Sequence, residues 1–336
     1  MAELSLEMHI IFAIIAAVFG LCVGSFLNVV ALRSLKDEEF VLTPSHCFEC
    51  GKNLNWYNNI PVLSYLFQRG KCQFCKCKIS PQYPIVESIC GALFLFTYLE
   101  FGLTLKSLFL VVLFAFFILI SITDFRERVV YNWHTYPIIV LGLLYSVFVT
   151  GGGVAGFESG IFWPAVLKSV IGIAVGFVFF EVTARLGYLF ADSRAFGEGD
   201  TVIAMGLGAF FGWKWLLVII LMAIFLQAAF TIPLMFWRAF KARDFEMCSA
   251  LILIVMSLGA IKCFEIFDLY SNLYKIIPFL IIVAIALAWC LKVLLTSMKK
   301  KKKEDLFLLP FGPALVICAT AVVFFGSEIL KLSGVL

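Results

Sequence analysis

Long apolar runs alternate with short polar connections along almost the whole chain. The apolar stretches fall at 9–32, 83–100, 106–123, 134–150, 163–186, 201–212, 214–237, 246–266, 276–297 and 309–330. A helix needs about 20 apolar residues to cross the hydrocarbon of a bilayer, and most of these runs come close to that length. The run 201–212 is short and rich in glycine, so it is expected to tilt or to merge with its neighbour. One long polar segment, 33–82, interrupts the series between the first two runs. The pattern predicts an all-α polytopic membrane protein with about ten transmembrane helices. Composition agrees, with 62% hydrophobic and 14% charged residues and a mean hydropathy of +1.03, far from the profile of a soluble domain.

Charge sets the orientation. With the N-terminus outside, 20 of the 26 basic residues share one side, including Arg33, Lys52, Arg69, Lys71, Arg126, Arg128 and Lys299 to Lys303. Basic loops stay in the cytoplasm, so that side, including 33–82, is expected to be cytoplasmic. Glu3 and Glu7 stand where a signal peptide carries basic residues, so the first run is expected to remain in the membrane. Topology accounts for the net charge of +4 and leaves no case for nucleic acid. The Lys299–Lys303 run reads as an anchor beside anionic lipid heads.

The polar segment holds Cys47-Phe-Glu-Cys50 and Cys72-Gln-Phe-Cys75, with 21 residues between the pairs. Two such knuckles at this separation have the spacing of a four-thiolate zinc site. Disulfides do not persist in the cytoplasm, and a loop of this size has too little core to fold without a staple. Reduced, unliganded thiols are the alternative. Cys77 follows Cys75 by two and is able to replace a knuckle member. His46 is the weaker ligand candidate, and His9 and His134, at the ends of runs, are expected to be interfacial.

Two aspartates sit where a membrane protein tolerates them least. Asp124 ends one apolar run, and Asp200 closes Gly197-Glu-Gly-Asp200 and opens another. A carboxylate at the edge of hydrocarbon is costly unless it faces a wet, protein-lined cavity. Both aspartates fall on the basic face, and neighbouring carboxylates separate into one acid and one base. Helix polarity favours Asp200 as the base, at a helix start, and Asp124 as the acid, at a helix end. Gly197 and Gly199 would let backbone approach an extended peptide. The structural alternatives are an ion pair of Asp124 with Arg126 or Arg128, and a helix-start role for Asp200.

An ordered string of motifs adds to this. It comprises Gly24-Ser-Phe-Leu-Asn-Val-Val30, Pro44-Ser-His-Cys47, Trp56-Tyr-Asn-Asn-Ile-Pro61, Leu63-Ser-Tyr-Leu66, Arg69-Gly-Lys-Cys72, Tyr83-Pro84, Val86-Glu87 and Pro310-Phe-Gly-Pro313. With the two aspartate regions, the chain resembles the type IV prepilin peptidases nearly end to end. The resemblance implies an aspartic endopeptidase of the bacterial inner membrane. Such an enzyme removes the basic leader of type IV prepilins or type II secretion pseudopilins after a glycine, at the cytoplasmic face. It implies N-methylation of the new terminus with S-adenosylmethionine, Asp124 and Asp200 as the catalytic pair, and Cys47, Cys50, Cys72 and Cys75 as the zinc ligands. No Gly-x-Gly-x-x-Gly fingerprint follows a strand, so a cofactor pocket has to form between the polar loop and the helices, with Glu87 as a candidate group.

The chain also departs from that family. Tyr131-Asn132 stands where the family commonly reads Pro-Asp, and Thr201 where lysine often follows the glycine-aspartate motif. Residues 244–305 form an extra block, read as an inserted helical hairpin. The expected organisation is a first helix over 1–32, a zinc loop over 33–82, a peptidase core over 83–243, the hairpin, and a last helix over 306–336. The rival functions are a peptidase without methylation and a non-enzymatic zinc-stapled scaffold or transporter. A transporter would place its ionisable groups near the bilayer midplane.

Overall fold

The structure, a computed structural model, describes residues 5–39, 44–47, 49–150, 161–191, 196–241 and 310–332. Helix α1 spans Leu6–Ser34, and Ser5 caps it by accepting from the Met8 amide at 3.4 Å. The polar loop holds a 3-10 turn, Trp56–Asn59, and a short helix α2, Leu63–Phe67. Helices α3, Gln82–Phe101, α4, Leu105–Glu127, and α5, Asn132–Tyr145, follow, the last continuing into a π-helical turn, Ser146–Thr150. Helices α6, Phe162–Ala191, α7, Glu198–Lys241, and α8, Gly312–Leu332, complete the series. Among the described residues there is no named strand, only two isolated bridges in the loop.

Six of these helices are long and apolar enough to cross a membrane, and Gly312–Gly326 is a shorter apolar helix. The predicted runs 246–266 and 276–297 lie outside the described residues, as does the whole 244–305 block. The runs expected at 201–212 and 214–237 form one 44-residue helix, α7, broken at Gly212 by a φ of 76°. At 1.5 Å per residue an unbroken α7 would be ~66 Å long, about twice the hydrocarbon thickness. Gly212 adopts a conformation that side chains avoid, so the helix changes course where the sequence pattern placed a boundary.

The chain divides into two compact units. One contains Met1–Glu181, Glu198–Ala223 and Pro310–Leu336; the other contains Val182–Gly197 and Ile224–Leu309. Within the first unit α4 is central and packs against α1, α3, α5 and α8. Leu110, Leu113, Phe114, Phe117 and Ile120 of α4 are almost wholly buried. Apolar helices in lipid gain little from hydrophobicity alone, so close backbone approach carries their association. On α1, a Cβ at Gly20 or Gly24 would stand 2.8 Å from Cys90 of α3. On α6 and α7, Gly172 and Gly208 meet backbone to backbone, and Gly176 abuts the Ala204 carbonyl.

Polar side chains tie the loop end of this unit together. Asn28, fully buried, donates to the Gly24 and Tyr83 carbonyls at 3.2 and 3.3 Å. Its own carbonyl accepts from Gln82 at 3.3 Å, and Gln82 accepts from Arg126 Nε at 2.7 Å. The chain α1–α3–α4 is thus closed by hydrogen bonds at the helix ends that lead into the loop. Arg33 reaches the loop itself, donating to the Glu39 and Pro44 carbonyls at 3.2 and 2.9 Å.

Candidate active site and metal centre

Asp124 lies in the last turn of α4, with 6% of its surface exposed. The helix stops four residues later because Arg128 turns left-handed at φ 54°, its amide donating to the Asp124 carbonyl at 3.0 Å. The Asp124 side chain seats on Gly312 at the start of α8. A Cβ there would stand 2.5 Å from Oδ2. Oδ2 is buried and no side chain among the described residues donates to it; the Gly312 backbone amide is the group that faces the carboxylate as a hydrogen-bond donor. Of the two ion-pair partners considered for Asp124, Arg126 is turned to Gln82, while the Arg128 charge acts on the Asp124 carboxylate.

Asp200 sits in the first turn of α7 and is half-buried. Ile203, one turn further along α7, reaches the same place as Asp124: its Cδ1 would lie 3.4 Å from that Gly312 Cβ. Positions three apart share a helix face, so Asp200 belongs to the turn beside this contact. Gly199 packs on Val130 in the α4–α5 connection, where a Cβ would come within 2.5 Å. The last turn of α4, the first turns of α7 and the start of α8 therefore meet. Gly197 is exposed and immediately precedes α7.

The chain's motif Pro310-Phe-Gly-Pro313 entered the sequence reading only through the resemblance, and the part played by Gly312 was missed. A glycine between two prolines at the head of an apolar run was the available signal. His134 was expected to be interfacial and is instead fully buried at the start of α5, its ring 3.9 Å from Trp133 and 5.3 Å from Tyr131. The polar flank of that helix start faces protein. Tyr131 helps to fix it by donating to the Ser34 carbonyl at 2.8 Å.

The two cysteine knuckles are near copies of each other. The Cys47 amide donates to the Lys52 carbonyl at 3.0 Å, and the Gly51 amide donates back to the Cys47 carbonyl at 2.8 Å. In the second knuckle, Cys72 pairs with Cys77 at 2.9 Å and Lys76 returns to Cys72 at 3.0 Å. The residue four past each leading cysteine has positive φ, 67° at Gly51 and 59° at Lys76. For Cys47, burial alone would raise the thiol, but the amides of Cys50 and Glu49 outweigh it and bring it down to about 6. For Cys72, the amides of Cys75 and Phe74 likewise favour the thiolate.

The sulfurs of Cys47, Cys50, Cys72 and Cys75 all lie within 4.8 Å of one another, a group able to hold a metal ion. Zinc–sulfur bonds of about 2.3 Å in a tetrahedron separate the sulfurs by ~3.8 Å, and Cys47 and Cys75 stand 3.9 Å apart. Cys77 remains at the edge of the cluster, 3.7 Å from Cys47 and 3.2 Å from Cys75.

Beside the knuckles opens a cavity of about 800 Å³, within the usual size of small-molecule sites. Ser25 and Arg33 of α1, Asn58, Ser64 and Tyr65 of the loop, and Glu87 of α3 are among the residues that line it. Glu87 accepts from the Val62 amide at 2.7 Å through Oε2 and also bonds Ser25. It thus fixes the loop wall of the cavity to α1 and α3.

A bundle of spanning helices with a buried acidic group where three helix ends meet, and a cysteine cluster on the adjoining loop, defines a multi-pass membrane protein. Residues 18–101 match the bacterial peptidase A24 N-terminal domain, and residues 111–232 match the type IV leader peptidase family. The prepilin leader peptidase/N-methyltransferase of Neisseria gonorrhoeae is 30% identical over 70% of this chain and 86% of its own length. That of Xanthomonas campestris pv. campestris is 31% identical over 68% of this chain and 83% of its own. That of Myxococcus xanthus is 35% identical over 63% of this chain, which spans 60% of that relative's length. No solved structure matches the chain. The chain belongs to the type IV leader peptidase family and, by that membership, is a prepilin peptidase.

Proposed function

We propose that this enzyme cleaves the basic leader from type IV prepilins or type II secretion pseudopilins after glycine, and then methylates the new N-terminal amine. The observation that carries the peptidase half is the buried Asp124 carboxylate, which no side chain neutralises by a hydrogen bond, seated on Gly312 beside the first turns of α7. In this reading Asp200, at a helix start, is the ionised base and draws a proton from water as its oxygen attacks the scissile carbonyl carbon. Asp124, at a helix end, donates its proton to the carbonyl oxygen. Collapse of the tetrahedral adduct then breaks the C–N bond: the departing amine takes the proton that Asp200 drew from water, and Asp124 recovers its own from the hydroxyl of the adduct. Gly197, exposed just before α7, leaves room for an extended substrate backbone, while Gly199 lets the start of α7 close onto Val130. The site faces the cytoplasm of the inner membrane, because the connections on its side carry most of the basic residues.

Zinc is the metal this donor set suits, held by Cys47, Cys50, Cys72 and Cys75. Its job is structural: it closes the two knuckles that form one wall of the cavity. Replacing Cys47 or Cys72 by serine is expected to drop bound zinc from about one ion per chain to near zero, measured by elemental analysis of purified protein. Metal content unchanged in both variants would remove the zinc centre from this account.

The cavity between the knuckles and α1 and α3 suits S-adenosylmethionine, which when bound supplies an electrophilic methyl group. Tyr65 and Tyr83 offer faces for a purine, and Glu49 offers a carboxylate for ribose hydroxyls. Glu87 holds the Pro61–Leu63 wall rather than taking part in transfer. Glu87→Gln keeps an acceptor for Val62 but weakens it, so cofactor binding is expected to fall about tenfold while prepilin cleavage stays within twofold. Equilibrium binding of labelled cofactor and a gel assay of cleavage read the two effects separately. Equal losses in both would mean that Glu87 serves the fold in general.

A further inference from the structure

The loop segment Trp56–Phe67 combines three features that its place in a polar loop does not explain. Four of its apolar side chains stand open, with Trp56 79%, Leu63 51%, Leu66 62% and Phe67 84% exposed. In α2 the exposed residues Leu63, Leu66 and Phe67 stand at i, i+3 and i+4, one face of a helix. Ser64 and Tyr65 turn the other way and line the cavity.

The second feature is depth. Helix α3 has 20 residues, ~30 Å of helix, which just matches the hydrocarbon thickness. Its first residue, Gln82, therefore stands near the boundary, and Glu87 lies ~7 Å further in. The Val62 amide is bonded to the Glu87 carboxylate at 2.7 Å, and a helical side chain leans toward its helix N-terminus, so the loop and the start of α2 reach to between Gln82 and Glu87, at the boundary. Irregular backbone at such depth is tolerated where it is buried in protein or lines a cavity, and Pro61 and Asn59 line this one.

The third feature is strain. Val62 has φ 61° and ψ −50°, and the Leu63 amide donates to the Pro61 carbonyl at 2.6 Å, a γ-turn with the unfavourable sign. A branched residue holds such a conformation only when its surroundings over-determine it. The Glu87 carboxylate is one such restraint. An apolar face seated in lipid would be the other.

We infer that Trp56–Phe67 is a re-entrant element whose apolar face lies in the headgroup–acyl boundary of an anionic bilayer. Its other face, with Asn58, Ser64 and Tyr65, lines the cavity. Lys52 precedes the segment, and Arg69 and Lys71 follow it, placing cationic charge at the headgroups on both flanks. Trp56 and Tyr57 are of the type that gathers at this level. The bilayer is the occupant because both ends of the loop are tied to spanning helices, at Ser34 and Gln82.

The test uses the full chain in vesicles of phosphatidylcholine and phosphatidylglycerol carrying a photoreactive diazirine in the acyl chain near the glycerol. Trypsin releases Asn53–Arg69 as one peptide, since no lysine or arginine interrupts it. That peptide is expected to carry label at Leu63, Leu66 or Phe67, at a yield comparable to the exposed Ile85 near the loop end of α3. In the triple variant L63S/L66S/F67S, label on residues 63–67 is expected to fall at least fivefold while Ile85 keeps its yield. A peptide unlabelled beside labelled Ile85 overturns the inference, as does label on residues 63–67 that survives the triple variant. So does label in detergent-free vesicles that appears only on Tyr65, the cavity side. A peptide that is dark in lipid and cross-links only to added prepilin would assign the face to substrate instead.

Discussion

Asp124→Asn and Asp200→Asn should each lower prepilin cleavage by about 10³-fold, within the range that a positioned acid or base contributes. Asparagine keeps the size of the side chain and removes its proton chemistry. The measurement is single-turnover cleavage of a purified prepilin with a Gly-Phe junction, alongside zinc content and circular dichroism of each variant. Both controls are expected to match wild type, because neither carboxylate touches the cysteine knuckles. The double variant carries the sharper information. Groups that act on one reacting centre are not additive, so the double variant should cleave about as slowly as either single one. A double loss equal to the product of the single losses would mean two independent roles and would dissolve the pair. Near-normal cleavage by either single variant would do the same for that residue. Methylation of a peptide that already bears a free N-terminal phenylalanine is expected to survive in all three, because the cavity is built from other side chains.

Much of this arrangement was written in the hydrophobic pattern. The runs at 9–32, 83–100, 106–123, 134–150 and 163–186 became helices, since a bilayer leaves the backbone few other ways to satisfy its hydrogen bonds. The split near residue 213 appeared as the kink at Gly212, although the helix on either side is continuous by hydrogen bonding. The knuckles were legible because ligand spacing is local information. The contact of Gly312 with Asp124 was not, because it joins residues far apart in the chain and depends on how α8 meets α4. The burial of His134 escaped for a similar reason: a run's end marks where apolar residues stop, and neighbouring helix ends can still cover the polar residues that follow. The turn at Val62 carried no signal in the sequence, since a branched residue at positive φ contradicts its own propensity. Cys77 remained ambiguous in the sequence and stands beside the cluster in the structure, within 3.7 Å of two of its sulfurs.

Gly312→Ala should lower kcat for cleavage by about 100-fold while changing KM little. A Cβ at this position would stand 2.5 Å from Asp124 Oδ2, well inside van der Waals contact, and Asp124 is 6% exposed. Either α8 shifts or the Asp124 side chain rotates away, and a displacement near 1 Å at a reacting group is enough for an effect of that size. Substrate binding rests on surfaces elsewhere, so KM reports that the protein still recognises its leader. Gly312→Val should be worse, and Asp124→Glu, which needs more of the same space, should resemble Gly312→Ala. A purely structural glycine predicts the opposite pattern: a lower Tm with kcat retained in the surviving folded enzyme. If Gly312→Ala melts earlier yet cleaves at the wild-type rate, the carboxylate has room to spare, and the close seat of Asp124 on α8 is packing without a catalytic purpose.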